Sequence, residues 1–130
     1  ILLAAKDGSC VAAIHAGWRG LAAGVIPNTV KTLRMRHSQL VAAIGPAINR
    51  QYFQIGPEVA KILNNVIDCK NSCDYCADLK GLATEVLLAN NVHNIMSTAT
   101  EGTENLKHYF SYRLQGTCGR LIAYIEVKGG

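Results

Sequence analysis

An α+β fold, with a layered mixed β-sheet flanked by helices, is what this 130-residue sequence predicts, as a single domain over residues 1–130. Three observations point there. Short apolar runs of strand length alternate with segments whose apolar residues recur at helical spacing. Strands and helices mix without a strict βαβ rhythm, which disfavours a doubly wound sheet. Apolar residues make up 49% of the chain, enough at this length to bury one core but not two.

The elements follow in order. Ile1–Ala5 and Cys10–His15 are apolar runs joined by "KDGS", whose Asp7-Gly8 pair signals the turn of a β-hairpin. After "HAGWRG", Ile26, Val30 and Leu33 recur at helical spacing. Pro27 fits that helix in its first turn, where its missing N–H leaves no partner unpaired, so the helix begins near Gly24. "LVAAI" at 40–44 is a buried strand stopped by Gly45-Pro46. Val59, Ile62, Leu63 and Val66 form one apolar helix face, and Leu79, Leu82, Ala83, Val86 and Leu87 form another. A short strand near Asn94–Ser97, an extended "YFSY" at 109–112 and a closing strand "LIAYIEV" at 121–127 complete the chain.

Charge and hydropathy narrow the function classes. Thirteen Lys and Arg against nine Asp and Glu give a net charge of +4, but the basic residues are scattered and the densest patch is only "KTLRMRH". Nucleic acid is therefore not an expected partner. No apolar run reaches the ~18 residues of a membrane span, and no export signal opens the sequence, so a cytoplasmic protein without membrane partners is expected. The sequence starts inside an apolar run without a Met, which leads us to expect that the natural product extends upstream.

The five cysteines are an odd number, and three of them crowd into "CKNSCDYC" as Cys69, Cys73 and Cys76. Reduced thiols are expected rather than a secreted disulfide framework. The C-x3-C-x2-C spacing could give three thiolates to an iron–sulfur cluster, yet nothing here builds the large barrel that accompanies that motif in radical enzymes. A zinc site would need a fourth ligand, for which Cys118, His93 or His108 are the candidates. The reading we favour is a variable loop before the helix at 78, with a non-catalytic metal- or partner-binding domain on these cysteines as the alternative.

"AAIHAGWRGLAAGVI" carries more chemistry. Here a strand ends in His15, turns through Gly17 and enters a helical region after Trp18-Arg19-Gly20. A histidine at a strand's end, followed by glycines that permit a sharp turn, suits a metal ligand or an acid/base. Arg19 adds a planar cation that can grip phosphate or carboxylate in two places. Spacing alone leaves open whether both are simply structural.

"HAGWRGLAAGVI", "AAIGPAI" with "YFQIGPEVA", and "YFSYRLQGTCGRLIAYI" resemble, in order and spacing, the signature blocks of the bacterial YfiH-like family, also called laccase-domain or polyphenol-oxidase proteins and described as purine nucleoside phosphorylases. The resemblance covers essentially the whole chain and implies the C-terminal half of a domain about twice as long. It implies a metal centre of two histidines and one cysteine, of which His15 is the only ligand matched here. The other His belongs to an upstream "VHG" block and the Cys to a "TADC" block a few residues before Ile1. Cys10 is not that cysteine, because it falls inside the next strand. The resemblance further implies zinc, with copper as the alternative, a nucleoside and phosphate as small-molecule ligands, and His15 and Arg19 in the site with Arg113 and Arg120 binding anions. Purine nucleoside phosphorolysis, with adenosine deaminase activity beside it, is the activity implied, and copper-dependent phenol oxidation the alternative. The sequence departs from the family pattern in Glu101-Gly102-Thr103, in Leu114-Gln115 and in Cys118, while Arg113 and Arg120 keep their places.

Overall fold

In a computed structural model, residues 1–33, 39–63, 66–68, 75–97, 102 and 105–128 are described. Their contacts divide the chain into two compact units. The first comprises Ile1–Gly45, Ala83–Thr98 and Ala123–Gly130, the second Pro46–Leu82 and Ala99–Ile122.

The first unit is built on a four-stranded sheet in the order β2-β1-β3-β7, from β1 (Leu2–Ala5), β2 (Val11–Ala13), β3 (Leu40–Ile44) and β7 (Asn94–Ser97). β1 runs antiparallel to both β2 and β3, whereas β3 and β7 are parallel, so the sheet is mixed as expected. The expected hairpin is present. Gly8 takes the left-handed φ of +74° that its turn requires. Asp7 accepts the Ser9 amide at 2.9 Å, and its bonds from Ser9, side chain first and then backbone, hold its carboxyl below the ordinary range.

Period-2 alternation decides which face is buried. Leu3 and Ala5 point inward from β1, Leu40, Ala42 and Ile44 from β3, and the register sets Leu3 beside Ala42 and Ala5 beside Leu40. The two helices after His15 are α1 (Trp18–Ala22) and α2 (Val25–Thr32), separated by Gly24 at φ +74°. Pro27 lies in the first turn of α2, and Ile26 and Val30, four apart, are both fully buried. Helix α4 (Leu79–Ala89) starts after Asp78, whose Oδ1 accepts the Gly81 amide at 2.9 Å. That is an N-cap bond, and Asp78→Ala should lower stability by about 0.5–2 kcal/mol in urea unfolding. Two residues past the helix, Asn91 takes φ +60°, a left-handed stop that asparagine tolerates.

The second unit holds a three-stranded antiparallel sheet in the order β4-β6-β5, formed by β4 (Gln54–Ile55), β5 (Val66–Asp68) and β6 (Tyr75–Ala77). Among its described residues, Phe53, Ile55, Leu63, Cys76, Ala77 and Ser111 have buried side chains. Two short helices belong to it, α3 (Pro57–Ala60) and α5 (Tyr112–Gln115).

Four expectations are corrected here. The helix over Val59–Val66 is only the four-residue α3, and Val66 begins β5 instead, because the pairing with β6 outweighs a spacing that four residues cannot establish. "YFSY" is not extended to its end, since Tyr112 opens α5. Cys10 lies one residue before β2 rather than within a strand. The closing segment 121–127 is not a strand, and Ile122 and Tyr124 are 89% and 78% exposed. An apolar, β-branched sequence becomes a strand only where a neighbour takes its N–H and C=O groups, and among the described residues no ladder reaches it. Likewise, among the described residues no helix is long and apolar enough to cross a membrane.

Candidate functional site

The hairpin fixes His15. Beyond β2 the ladder continues for one more pair, with Ile14 donating to the Ile1 carbonyl at 2.8 Å and Ile1 donating to the Ile14 carbonyl at 2.8 Å. Alternation then buries Ile14 and turns His15 outward. The His15 imidazole makes no hydrogen bond among the described residues, so both ring nitrogens are available to a ligand.

Two glycines shape the space around it. Gly17 has φ −68° and ψ 169°, a conformation any residue adopts. Its need for glycine is one of space: a Cβ there would stand 3.2 Å from His15 Nε2, 3.8 Å from Cδ2 and 3.9 Å from Cε1. The Nε2 corner of the ring thus lies over the bare Cα. At Gly20 a Cβ would come 3.2 Å from the His15 carbonyl oxygen and 3.4 Å from Val25 Cγ1. Its absence lets α1 close onto the strand end. Arg19 stacks on the Trp18 ring at 4.5 Å, and its guanidinium makes no hydrogen bond among the described residues. Stacking orients the plane while leaving the donors free for an anion.

Arg113 and Arg120 belong to the second unit, His15 and Arg19 to the first. Arg113 is anchored: its Nη1 donates to the Gln54 carbonyl at 2.7 Å, and its guanidinium lies over the Phe53 ring at 4.6 Å. Arg120 folds back on its own loop. Its Nη1 donates to the Cys118 and Gly119 carbonyls at 3.0 and 3.1 Å, and the guanidinium stands 5.5 Å from the Tyr112 ring. Gly119 in turn is pressed by Phe110, since a Cβ there would meet the ring at 2.7 Å. Close approach therefore ties the "FSYR" stretch to the "CGR" stretch. Phe53, Gln54 and Gly20 are contributions the sequence did not mark as functional. The one available signal was their position within the matched blocks.

Among the described residues no three His, Cys, Asp or Glu side chains are grouped to hold a metal ion. Of the three clustered cysteines, Cys69 and Cys73 lie outside the described residues. Cys76 is buried and disulfide-bonded. For Cys76 this corrects the expectation of reduced thiols and removes it as a thiolate donor in this state. Cys10 and Cys118 are free. An open groove of about 450 Å³ runs along Gly20, Ala23, Val25, Asn28, Thr29 and Thr32. Nothing ionisable lines it, and both threonine hydroxyls donate to α2 carbonyls at 2.8 Å. The reactive groups lie at the His15 elbow instead.

Residues 1–128 match the family described as multi-copper polyphenol oxidoreductase laccase, and the chain belongs to that family. It is 36% identical over 133 residues to purine nucleoside phosphorylase YfiH of Escherichia coli K12, covering 96% of this chain and 54% of the relative. Against the Pseudomonas aeruginosa purine nucleoside phosphorylase PA4543 it is 32% identical, covering 95% of this chain and 54% of the relative. The crystal structure of Neisseria meningitidis protein NMB0706 superposes with a TM-score of 0.80 at 30% identity, over 88% of this chain and 50% of that one. The chain thus spans about half the length of the curated relatives it matches.

Proposed function

We propose that this chain carries part of the active site of a purine nucleoside phosphorylase, with His15 as one ligand of a catalytic zinc ion and Arg19 as an anion-binding residue. The observation that carries the reading is the elbow itself: an outward imidazole with no protein partner, its Nε2 over a bare glycine Cα. This cradle fits one metal ligand. The described residues hold no complete set of three, so the remaining ligands belong to residues outside them.

The hairpin register supports where those lie. Leu2 pairs with Ala13 and Leu3 with Ala12, so a residue preceding Ile1 in the same ladder falls opposite His15. A "TADC" cysteine a few residues upstream would approach the imidazole from there. Bound zinc would supply Lewis-acid charge stabilisation at its open position. The chain's own residues do the rest: His15 orients the site, and the Arg19 fork neutralises and aligns the phosphate that attacks C1′ of the nucleoside as the bond to the purine breaks. Arg113 and Arg120 are proposed as further anion contacts, Arg113 preset by Phe53 and Gln54. Adenosine deamination is carried as a second activity of the same site. The setting is proposed to be cytoplasmic, where the Cys76 disulfide meets a reducing poise.

A second reading comes from the family description, copper-dependent oxidation of phenols, which an imidazole donor also suits. The test is a chimera joining this chain to the part of the E. coli relative it does not match, loaded with zinc or copper. Release of free base from adenosine or inosine in phosphate, on the zinc form, is the expected result. Phenol oxidation on the copper form without base release would favour the second reading. In the same chimera Arg19→Lys should raise the KM for phosphate about tenfold, since a point charge replaces a two-pronged fork.

A further inference from the structure

We propose that Gly17 is a positioning residue that keeps Nε2, rather than Nδ1, the coordinating nitrogen of His15; the inference rests on His15 being a metal ligand. The glycines of the elbow are constrained for different reasons. Gly24 needs glycine for its left-handed backbone, at φ +74°. Gly20 needs it because a Cβ would meet a backbone carbonyl at 3.2 Å, where nothing can yield without moving the strand end. Gly17 needs neither: its φ of −68° is open to any residue, and the three nearest atoms a Cβ would meet all belong to the His15 ring.

The approach is also directional. Nε2 is the nearest ring atom at 3.2 Å, with Cδ2 and Cε1 behind it at almost equal distances of 3.8 and 3.9 Å. A methyl group there would crowd the Nε2 corner specifically. A zinc–imidazole bond is only about 2.0–2.1 Å long, so an ion on Nε2 and a methyl 3.2 Å from the same nitrogen compete for one space. Of the substitutions in this segment, Gly17→Ala therefore changes access to one nitrogen without demanding a change of backbone. The ring must turn to restore coordination, and turning offers Nδ1 instead.

The experiment titrates zinc chloride into the chimera that restores the unmatched half, labelled with ¹⁵N in its imidazoles, with long-range ¹H–¹⁵N spectra assigned by His15→Gln. The parent chimera should show zinc-dependent movement of the His15 Nε2 signal. In Gly17→Ala, with the melting temperature held, the apparent dissociation constant should rise about tenfold or more, and the residual response should pass to Nδ1. A purely structural role for Gly17 would move the melting temperature and not the nitrogen. If Gly17→Ala does not fold, Gly17→Ser takes its place, carrying the same Cβ on a residue favoured at a helix N-cap, with the same result expected. Zinc on Nε2 with unchanged affinity in the folded variant overturns the proposal and leaves His15 a ligand. No response at either nitrogen of the parent overturns both.

Discussion

His15→Ala, made in the chimera that restores the unmatched half, should abolish stoichiometric zinc and lower base release by about 10³-fold or more, some 4 kcal/mol of transition-state stabilisation. A catalytic zinc site takes three protein ligands and an open position, and a site reduced to two neither retains the ion nor directs that position. The 130-residue chain alone should bind zinc weakly and release no base. Stripped of metal, His15→Ala should barely change stability, because the side chain is exposed and makes no hydrogen bond among the described residues. Metal analysis, base release and urea unfolding on the same preparations check all three. Full activity in His15→Ala, or in the 130-residue chain alone, would contradict the assignment.

Leu3→Ala should be the most damaging of the conservative core changes, costing toward the upper end of about 2–5 kcal/mol. Leu3 is fully buried, and its cross-strand neighbours are Ala12 on β2 and Ala42 on β3. Two alanines cannot swing into the space a leucine leaves. A cavity therefore persists, and the loss is a large part of the roughly 5–15 kcal/mol that holds a domain folded. Urea unfolding should show the midpoint falling with the slope unchanged. A loss below about 1 kcal/mol would mean that the sheet relaxes into the void.

What could be read from the sequence was what local chemistry decides. Asp7-Gly8 names its turn, Pro27 dates the start of α2, and the apolar run "LVAAI" stopped by Gly45-Pro46 marks β3 as a buried strand. The His15 elbow was legible too, since a histidine at a strand's end followed by glycine permits a sharp turn. What escaped depends on distant pairing. Val59, Ile62, Leu63 and Val66 satisfy helical spacing, but Val66–Asp68 pairs with Tyr75–Ala77, and no local signal reveals that ladder. "LIAYIEV" has the composition of a strand without a partner to pair with among the described residues. The anchoring of Arg113 was equally invisible, because Gln54 is 59 residues away in sequence.

His15 Nε2 is proposed as a metal ligand at the end of the β1–β2 hairpin, with a residue across the ladder completing the site. Crystals of the zinc-loaded chimera, measured on both sides of the zinc absorption edge, test it most directly. An anomalous peak is expected about 2.0–2.1 Å from His15 Nε2, shared with a side chain from the residues just before Ile1. A peak bonded elsewhere, with the His15 ring turned away from it, would rule His15 out as the ligand.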